Sequence, residues 1–284
     1  MTVPARCELW VESRDGRAAV NPVLRALLDD LAGAGHRVTV RVPEGEVLGG
    51  SLPRPDLVLL KTTTTTALSW ARVLGGLGVA FVNPAAATAY ASDKAAVLAR
   101  LAAAGLPVPR TYLRGGTDPV PEPPETTRPG QPQAPWVAKP VHGVHGWGVA
   151  VHPTLAAAAG APTGAEPPAW IVDDGTRLVQ AHVAADSDTK VYLAGPVVFA
   201  GHKVFSRTSF ASDEIRPVAL SAAQHEVAAG CAEALGLRLA GVDLRGADGR
   251  CQVIDVNPFP GYRGFPAAVA ALRAEVDRAL DGRQ

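Results

Sequence analysis

The first third of the chain alternates strand-like and helix-like runs. CELWVES (7–13) is an apolar strand pattern, and NPVLRALLDDLAGAGH (21–36) repeats apolar residues at helical spacing before a glycine stop. RVTVRV (37–42) alternates with period two, and PDLVLLK (55–61) is a short apolar strand. TTTTTALSWARVLGGLG (62–78) predicts a threonine loop feeding a helix N-terminus, and VAFVNP (79–84) another strand. This β-α-β-α-β order with short turns predicts a small parallel sheet covered by helices.

The pattern then changes. SDKAAVLARLAAAGLPVPRTYL (92–113) predicts a helix with Ser92 as N-cap, Asp93 complementing the dipole, and Gly105, Pro107 and Pro109 ending it. Residues 115–135 are proline-rich and polar with almost nothing to bury, which predicts an exposed insertion. WVAKPVHGVHGWGVAVHP (136–153) reads as strand, glycine-rich loop, strand. AWIVDDGTRLVQAHVAA (169–185) and DTKVYLAGPVVFAGHKVFS (188–206) add strands, the latter a hairpin around Ala194–Pro196. SAAQHEVAAGCAEALG (221–236) predicts a helix and LAGVDLRGADGRCQVIDVNPFPG (239–261) a second hairpin. A helix from about Pro266 to Leu280 closes the chain, and no internal repeat is visible.

Composition narrows the function classes. The 284 residues suit about two domains, and none of the apolar runs reaches the roughly 18–20 residues of a membrane span. Twenty-seven basic and 27 acidic side chains give zero net charge, which argues against bulk nucleic-acid or anionic-membrane binding. The first residues, MTVPARCELWVESRD, lack the basic start and apolar core of a signal peptide, and the three cysteines are odd in number and far apart. Both features point to the cytoplasm. Five of the basic residues are lysine (Lys61, Lys94, Lys139, Lys190, Lys203) and the other 22 arginine. In a chain so biased towards arginine, the surviving lysines mark positions where the two are not interchangeable.

Three constellations carry chemistry. Asp255 and Asn257 are two apart on a strand and share a face, and the turn near Asp248–Gly249 places Asp243 opposite Ile254 or Asp255. Two carboxylates and an amide oxygen on one face are the hard oxygen donors that Mg²⁺ takes, the competing reading being ordinary strand-end aspartates with an Asn-Pro turn. Lys139-Pro140 leads into a loop with Gly143, Gly146 and Gly148, where backbone N–H groups approach phosphate oxygens and the ammonium offsets their charge. An ordinary tight turn is the alternative, and neither a P-loop nor a Rossmann fingerprint is present. LVQAHV (178–183), with Asp186 and Asp188 behind it, offers backbone groups to a purine and a carboxylate to a ribose, against a plain strand and loop. His142 and His145 form an H-x-x-H pair without a nearby thiol or carboxylate, which argues against zinc.

Taken in order, SDKAAVLARLAAAGLPVPRT, WVAKP with its glycine loop, LVQAHV, DTKVYLAG, AGVDL and IDVNPFPG resemble the ATP-grasp superfamily over nearly the whole chain. The resemblance implies an α/β fold with α+β character in the nucleotide module. A parallel α/β domain would span 1–90 and an ATP-grasp domain 91–284, the latter divided into lobes 91–183 and 184–284. It implies ATP and Mg²⁺, with Mn²⁺ as an alternative. Lys94 and Lys139 would meet the phosphates, with Gly143, Gly146 and Gly148 around them. Gln180, Ala181 and Val183 would line adenine, and Asp188 would lie near the ribose. Lys190 and Lys203 would stand where the family places basic residues, Lys203 towards the γ-phosphate. Asp243, Asp255 and Asn257 would hold the metal, and Lys61, with Thr62 and Thr63, and Arg263 would contact substrate.

Within the superfamily the chain looks most like the ribosomal-protein glutamate ligase type. That implies acyl-phosphate formation from a carboxylate, then attack by an amine on a small-molecule or peptide partner, with Arg207 or Arg216 steadying the oxyanion. The chain departs from that type in carrying Asp255 where most ligases have Glu and Lys190 where many have Arg. RTSFASDEIRPV (207–218) also lacks N-x-x-x-G-G. VIDVNPFPGYRG with KVYLAG resembles the inositol polyphosphate kinase branch instead, though the dense basic clusters a polyphosphate needs are missing. A non-catalytic ATP-binding module is the third reading, and none of the expected metal or lysine positions is lost. No nucleic-acid or membrane partner is expected, and a homo-oligomer stays open.

Overall fold

The computed structural model describes residues 4–14, 16–48, 54–115, 135–143, 147–160, 175–185, 187–204, 215–246 and 249–282. Gly146, Arg207, His145, Asp186, Asp248 and all but the ends of the proline-rich insertion lie outside the described residues.

The N-terminal region contains β1 (Arg6–Trp10), the hairpin β2 (Ser13–Arg14) and β3 (Arg17–Ala18), and α1 (Pro22–Gly33). It continues through β4 (Arg37–Arg41), β5 (Leu57–Leu60), α2 (Thr65–Gly76) and β6 (Ala80–Val82). The four longer strands form the expected parallel sheet in the order β4-β1-β5-β6. Every residue of β5 is buried, as suits a central parallel strand covered on both faces. Asn21 caps α1 by accepting from the Leu24 N–H, and Leu24, Leu27, Leu28 and Leu31 face inward. The threonine run does feed a helix: Thr64 caps α2 by accepting from the Ala67 N–H.

Two helices follow, α3 (Ala85–Ala91) and α4 (Lys94–Ala103). Asp93, not Ser92, caps α4, its carboxylate accepting from the Ala96 N–H at 2.9 Å. Ser92 is used up ending α3, where its hydroxyl donates to the Ala89 carbonyl. An antiparallel sheet, β7-β10-β8-β9, is built from β7 (Thr111–Arg114), β8 (Trp136–Pro140), β9 (Ala150–His152) and β10 (Arg177–Ala181). Between β9 and β10 in the chain, α5 (Leu155–Gly160) packs on one face of this sheet, with Trp136, Ala138 and Val179.

The C-terminal sheet is also antiparallel, in the order β13-β12-β11-β14-β15. Its strands are β11 (Ser187–Ala194), β12 (Val197–Val204), β13 (Ile215–Pro217), β14 (Leu239–Arg245) and β15 (Gln252–Asn257). Helix α6 (Ala222–Leu235) starts in a capping box of Ser221 and Gln224 and ends at left-handed Gly236; α7 (Ala268–Asp281) closes the chain. Among the described residues no helix is long and apolar enough to cross a membrane.

The cores do not follow chain order. Leu9, Leu24, Leu57 and Val82 of the N-terminal region share one core with Leu239, Tyr262, Phe265, Leu272 and Val276 from the far end of the chain. Val97 and Leu101 of α4 pack with Val191, Val242 and Val253 of the C-terminal sheet. The sheet β7-β10-β8-β9 keeps a small core of its own.

Asn83, fully buried after β6, fastens the first of these junctions. Its amide nitrogen donates to the Leu239 carbonyl at 2.8 Å and to the Pro258 carbonyl, while its oxygen accepts from the N–H groups of Arg238 and Leu239 at 2.9 and 2.8 Å. One side chain thereby ties the end of the parallel sheet to the start of β14 and the turn after β15. Asn83→Ala takes a side-chain partner from four backbone groups, most of them buried, and is expected to lower stability by about 3 kcal/mol or more, read as a fall in the urea midpoint. Asn83→Asp should also destabilise, because a carboxylate cannot donate to the two carbonyls.

Candidate active site

Register builds the site. Directly paired antiparallel residues share a sheet face, and side chains alternate along each strand. On β11, Asp188 pairs with Lys203 of β12, and Lys190 pairs with Asp243 of β14. Asp243 in turn pairs with Asp255 of β15, and Gly241 with Asn257. Asp188, Lys190, Lys203, Asp243, Asp255 and Asn257 therefore occupy one face. The register shifts between Asp243 and Leu244, so that Leu244 meets Val253 and Ile254 is the extra residue. That bulge lets Val253 and Val256 both face the apolar core while Asp255 and Asn257 face the other side of the sheet. It also frees the Ile254 carbonyl, which accepts from the Lys139 ammonium at 2.7 Å.

Lysines from three other elements meet these carboxylates. Lys94, the first residue of α4, donates to both Asp255 oxygens at 3.1 and 3.2 Å. Lys190 forms an ion pair with Asp243. Lys139 of β8 is buried and also donates to the Gln180 side-chain oxygen at 3.2 Å. Burial alone would raise the Asp255 carboxyl, but Lys94 and Lys139 hold it below its ordinary range. Burial likewise works against the Lys190 charge, and Asp243 outweighs it, raising that lysine. Lys139 falls to about 8, chiefly through burial, with Asp255 opposing the fall and Lys94 adding to it. Asp188 rises to about 6 through burial, against the pull of Lys190.

Gly143 and Gly148 lie against Pro140, the residue after Lys139. Gly148 has φ +68°, and a Cβ there would sit 2.8 Å from the Pro140 ring. Only glycine lets the chain return this close to Lys139-Pro140. Gly143 packs on the same ring, and His142 is 3.2 Å from the Ser92 carbonyl, joining the loop to the start of α4.

Other candidate residues are placed differently. Gln180 is buried and spends its side chain on Lys139 and Thr111. Ala181 turns to the α5 side of its sheet, and its N–H is taken by the Arg110 carbonyl. Val183 follows at the strand end, half-buried. Asp188 does not present an open carboxylate: it is 2% exposed and pairs with Arg245 at 3.5 Å. Arg216 pairs with His202, one residue out of phase with Lys203, so alternation sends it to the opposite face from the carboxylates. Lys61 and Arg263 lie outside this cluster, at the C-terminal edge of the parallel sheet and in the loop after β15. The sequence motifs do not single out Arg245 or Ile254. Arg245, two residues beyond Asp243, was legible from alternation, whereas the bulge at Ile254 left no mark in the residue pattern.

Asp243, Asp255 and Asn257 fit Mg²⁺ by donor chemistry: two carboxylates and an amide oxygen on one face, with water and phosphate left to complete the shell. Among the described residues no group of three or more His, Cys, Asp and Glu is placed to hold a metal.

Comparisons with known proteins give the fold and the family. In fold, the chain superimposes on the RimK domain ATP-grasp protein of Sphaerobacter thermophilus with TM-score 0.70, at 20% identity, over 97% of this chain and 99% of that one. It matches the ATP-complexed D-alanine–D-alanine ligase of Bacillus anthracis with TM-score 0.67, at 15% identity, over 98% of each chain. The architecture is the ATP-grasp fold. In sequence, residues 91–272 match the RimK-like ATP-grasp domain, and the chain belongs to that family. It is also 30% identical, over 92% of each chain, to a probable α-L-glutamate ligase of Sodalis glossinidius.

The charge state of Lys139 gives a pH test. In the free protein it is cationic below about 8 and loses its proton as pH rises through that value. A polyphosphate nucleotide gains from the charged form, so ADP affinity measured calorimetrically should decline from about pH 7 to about pH 9. Lys139→Met should bind about tenfold or more weakly at pH 7, the scale of one charge-assisted hydrogen bond, and should lack that decline.

Proposed function

We propose that this protein is an ATP-dependent carboxylate–amine ligase acting on an amino acid, peptide or small natural-product substrate. The observation that carries the reading is the gathering of Asp243, Asp255 and Asn257 on one sheet face, with Lys94 on Asp255, Lys190 on Asp243 and Lys139 on the Ile254 carbonyl between them. Membership of the RimK-like family and the likeness to a probable glutamate ligase support an ATP-dependent ligase; the substrate class is the finer step proposed here.

Lys94 and Lys139 neutralise phosphate charge, with Gly143 and Gly148 bringing backbone N–H groups close. Lys203, on the same face, approaches the γ-phosphate, and Lys190 holds Asp243 in place. Gln180 positions Lys139, and the β10 end at Ala181 and Val183 borders the base. Asp243, Asp255 and Asn257 would hold Mg²⁺, whose charge would offset that of the transferring phosphoryl group. A substrate carboxylate attacks the γ-phosphorus, releasing ADP; an amine then attacks the acyl phosphate, and phosphate leaves as the amide forms. Residues 1–90 border the substrate and 91–284 hold the nucleotide, in a cytoplasmic enzyme.

The test incubates the protein with Mg·ATP and a panel of amino acids and peptides, followed by mass. An amide with one ADP and one phosphate per bond is expected. A phosphorylated alcohol without phosphate release favours a small-molecule kinase, and nucleotide binding without turnover favours a non-catalytic module; either overturns the ligase. Asp255→Ala and Asn257→Ala should each cut turnover at least about a hundredfold, the scale seen when one electrostatic stabiliser of a transition state is removed.

A further inference from the structure

The sheet face that carries Asp243 and Asp255 holds a second row of charges, centred on Asp188. The β11–β14 ladder pairs Lys190 with Asp243 and Thr189 with Leu244, so its next step brings Asp188 opposite Arg245. The β11–β12 ladder pairs the same Asp188 with Lys203. Along β11 the charges on this face run minus then plus, and along β14 the facing charges run plus then minus. Opposite charges directly across a sheet attract, so this alternation is the favourable arrangement. The Asp188 row sets two cations, Lys203 and Arg245, beside one carboxylate. The neighbouring row sets one cation, Lys190, beside the two carboxylates Asp243 and Asp255.

Asp188 is enclosed by its neighbours. The Arg245 guanidinium lies 3.5 Å from it, and the Arg245 Nη2 donates to the Ala185 carbonyl at 3.1 Å. That bond ties the segment entering β11 to β14 and fixes the guanidinium beside the carboxylate. Lys190, two residues along the strand, is engaged with Asp243. Burial, with Asp243 adding to it, pushes Asp188 up to about 6, while Lys190, Arg245 and Lys203 pull the other way. The carboxylate therefore depends on its cations to stay charged.

One oxygen of this carboxylate is left over. The buried Asp188 Oδ1 accepts no hydrogen bond among the described residues. A buried acceptor of that kind costs stability until a donor reaches it. Lys203 faces it from β12 and brings three donors on a flexible stem. One N–H can meet Asp188 while the others stay available to a ligand oxygen. A ribose hydroxyl is a poor rival, because at 2% exposure Asp188 offers an outside group no room.

We propose that Asp188 is a positioning residue that aims the Lys203 ammonium at the γ-phosphate and does not itself touch the nucleotide. The proposal rests on the ligase reading, in which Lys203 approaches that phosphate, and deepens it by assigning the support for that contact. Arg245 acts one step further back, keeping Asp188 charged and in place. Removing either residue leaves Lys203 without its aim, and the loss falls on the third phosphoryl group alone.

Mg·AMP-PNP and Mg·ADP, titrated calorimetrically into the full chain, give a ratio of affinities that isolates the γ-phosphate. Asp188→Asn keeps the shape and removes the charge, and should lower that ratio at least about fivefold, the scale of one hydrogen bond. Lys203→Met should lower it as far, and the double variant no further, because both act at one contact. Arg245→Met should lower it too, and Arg245→Lys, which keeps a cation beside Asp188, should restore most of it. The preference for ADP over 2′-deoxy-ADP should be the same in Asp188→Asn as in the wild type. An unchanged ratio in Asp188→Asn, additive losses in the double variant, or ribose discrimination lost in Asp188→Asn overturns the proposal. If Asp188→Asn does not fold, an unchanged ratio in Arg245→Met overturns it instead. The amide-forming panel stands apart: amide products with an unchanged ratio keep the ligase and remove this role of Asp188, and a lowered ratio without amide products removes the ligase alone.

Discussion

Two aspartates facing one another across a pair of strands are unstable without cations between or beside them, and this constraint organises the structure. Asp243 and Asp255 are direct partners on β14 and β15. Their neighbours Lys94, Lys139 and Lys190 come from a helix, a strand of another sheet and a strand of the same sheet. Like charges opposite each other in a sheet repel. The three lysines convert that repulsion into a reason for three separate elements to converge.

Much of this was legible in the sequence because strands have a strict period of two. Asp255 and Asn257 were placed on one face by spacing alone, and the parallel sheet followed from the β-α-β-α-β pattern. The motif order from SDKAAVL to IDVNPFPG carried the fold, which the family match over residues 91–272 supports. Where local pattern decides, the residues say so.

The rest depended on contacts that sequence does not encode locally. Ser92 looked like the cap of α4, but the preceding helix claims it, and Asp93 does the capping. Gln180 looked like a base contact, yet it is committed to Lys139 across the sheet. Arg216 fell on the wrong face because its phase is set by pairing with β12, which its own short strand does not reveal. Asn83 in VAFVNP gave no hint of its role, since its four partners lie about 155 to 175 residues further on.

The distribution of cores has a mechanical consequence. The parallel sheet and the aspartate-bearing strands share apolar packing and the Asn83 clamp, so they behave as a single frame. The sheet that carries Lys139 has a separate core and meets the frame through polar contacts such as Lys139 with Ile254 and the backbone bond from Lys94 to Val141. Polar contacts of this kind exchange readily for water or for ligand oxygens, whereas shared apolar packing does not. The acidic face and the parallel sheet thus belong to one packed unit, to which the sheet carrying Lys139 is fastened by contacts that water or ligand oxygens can replace.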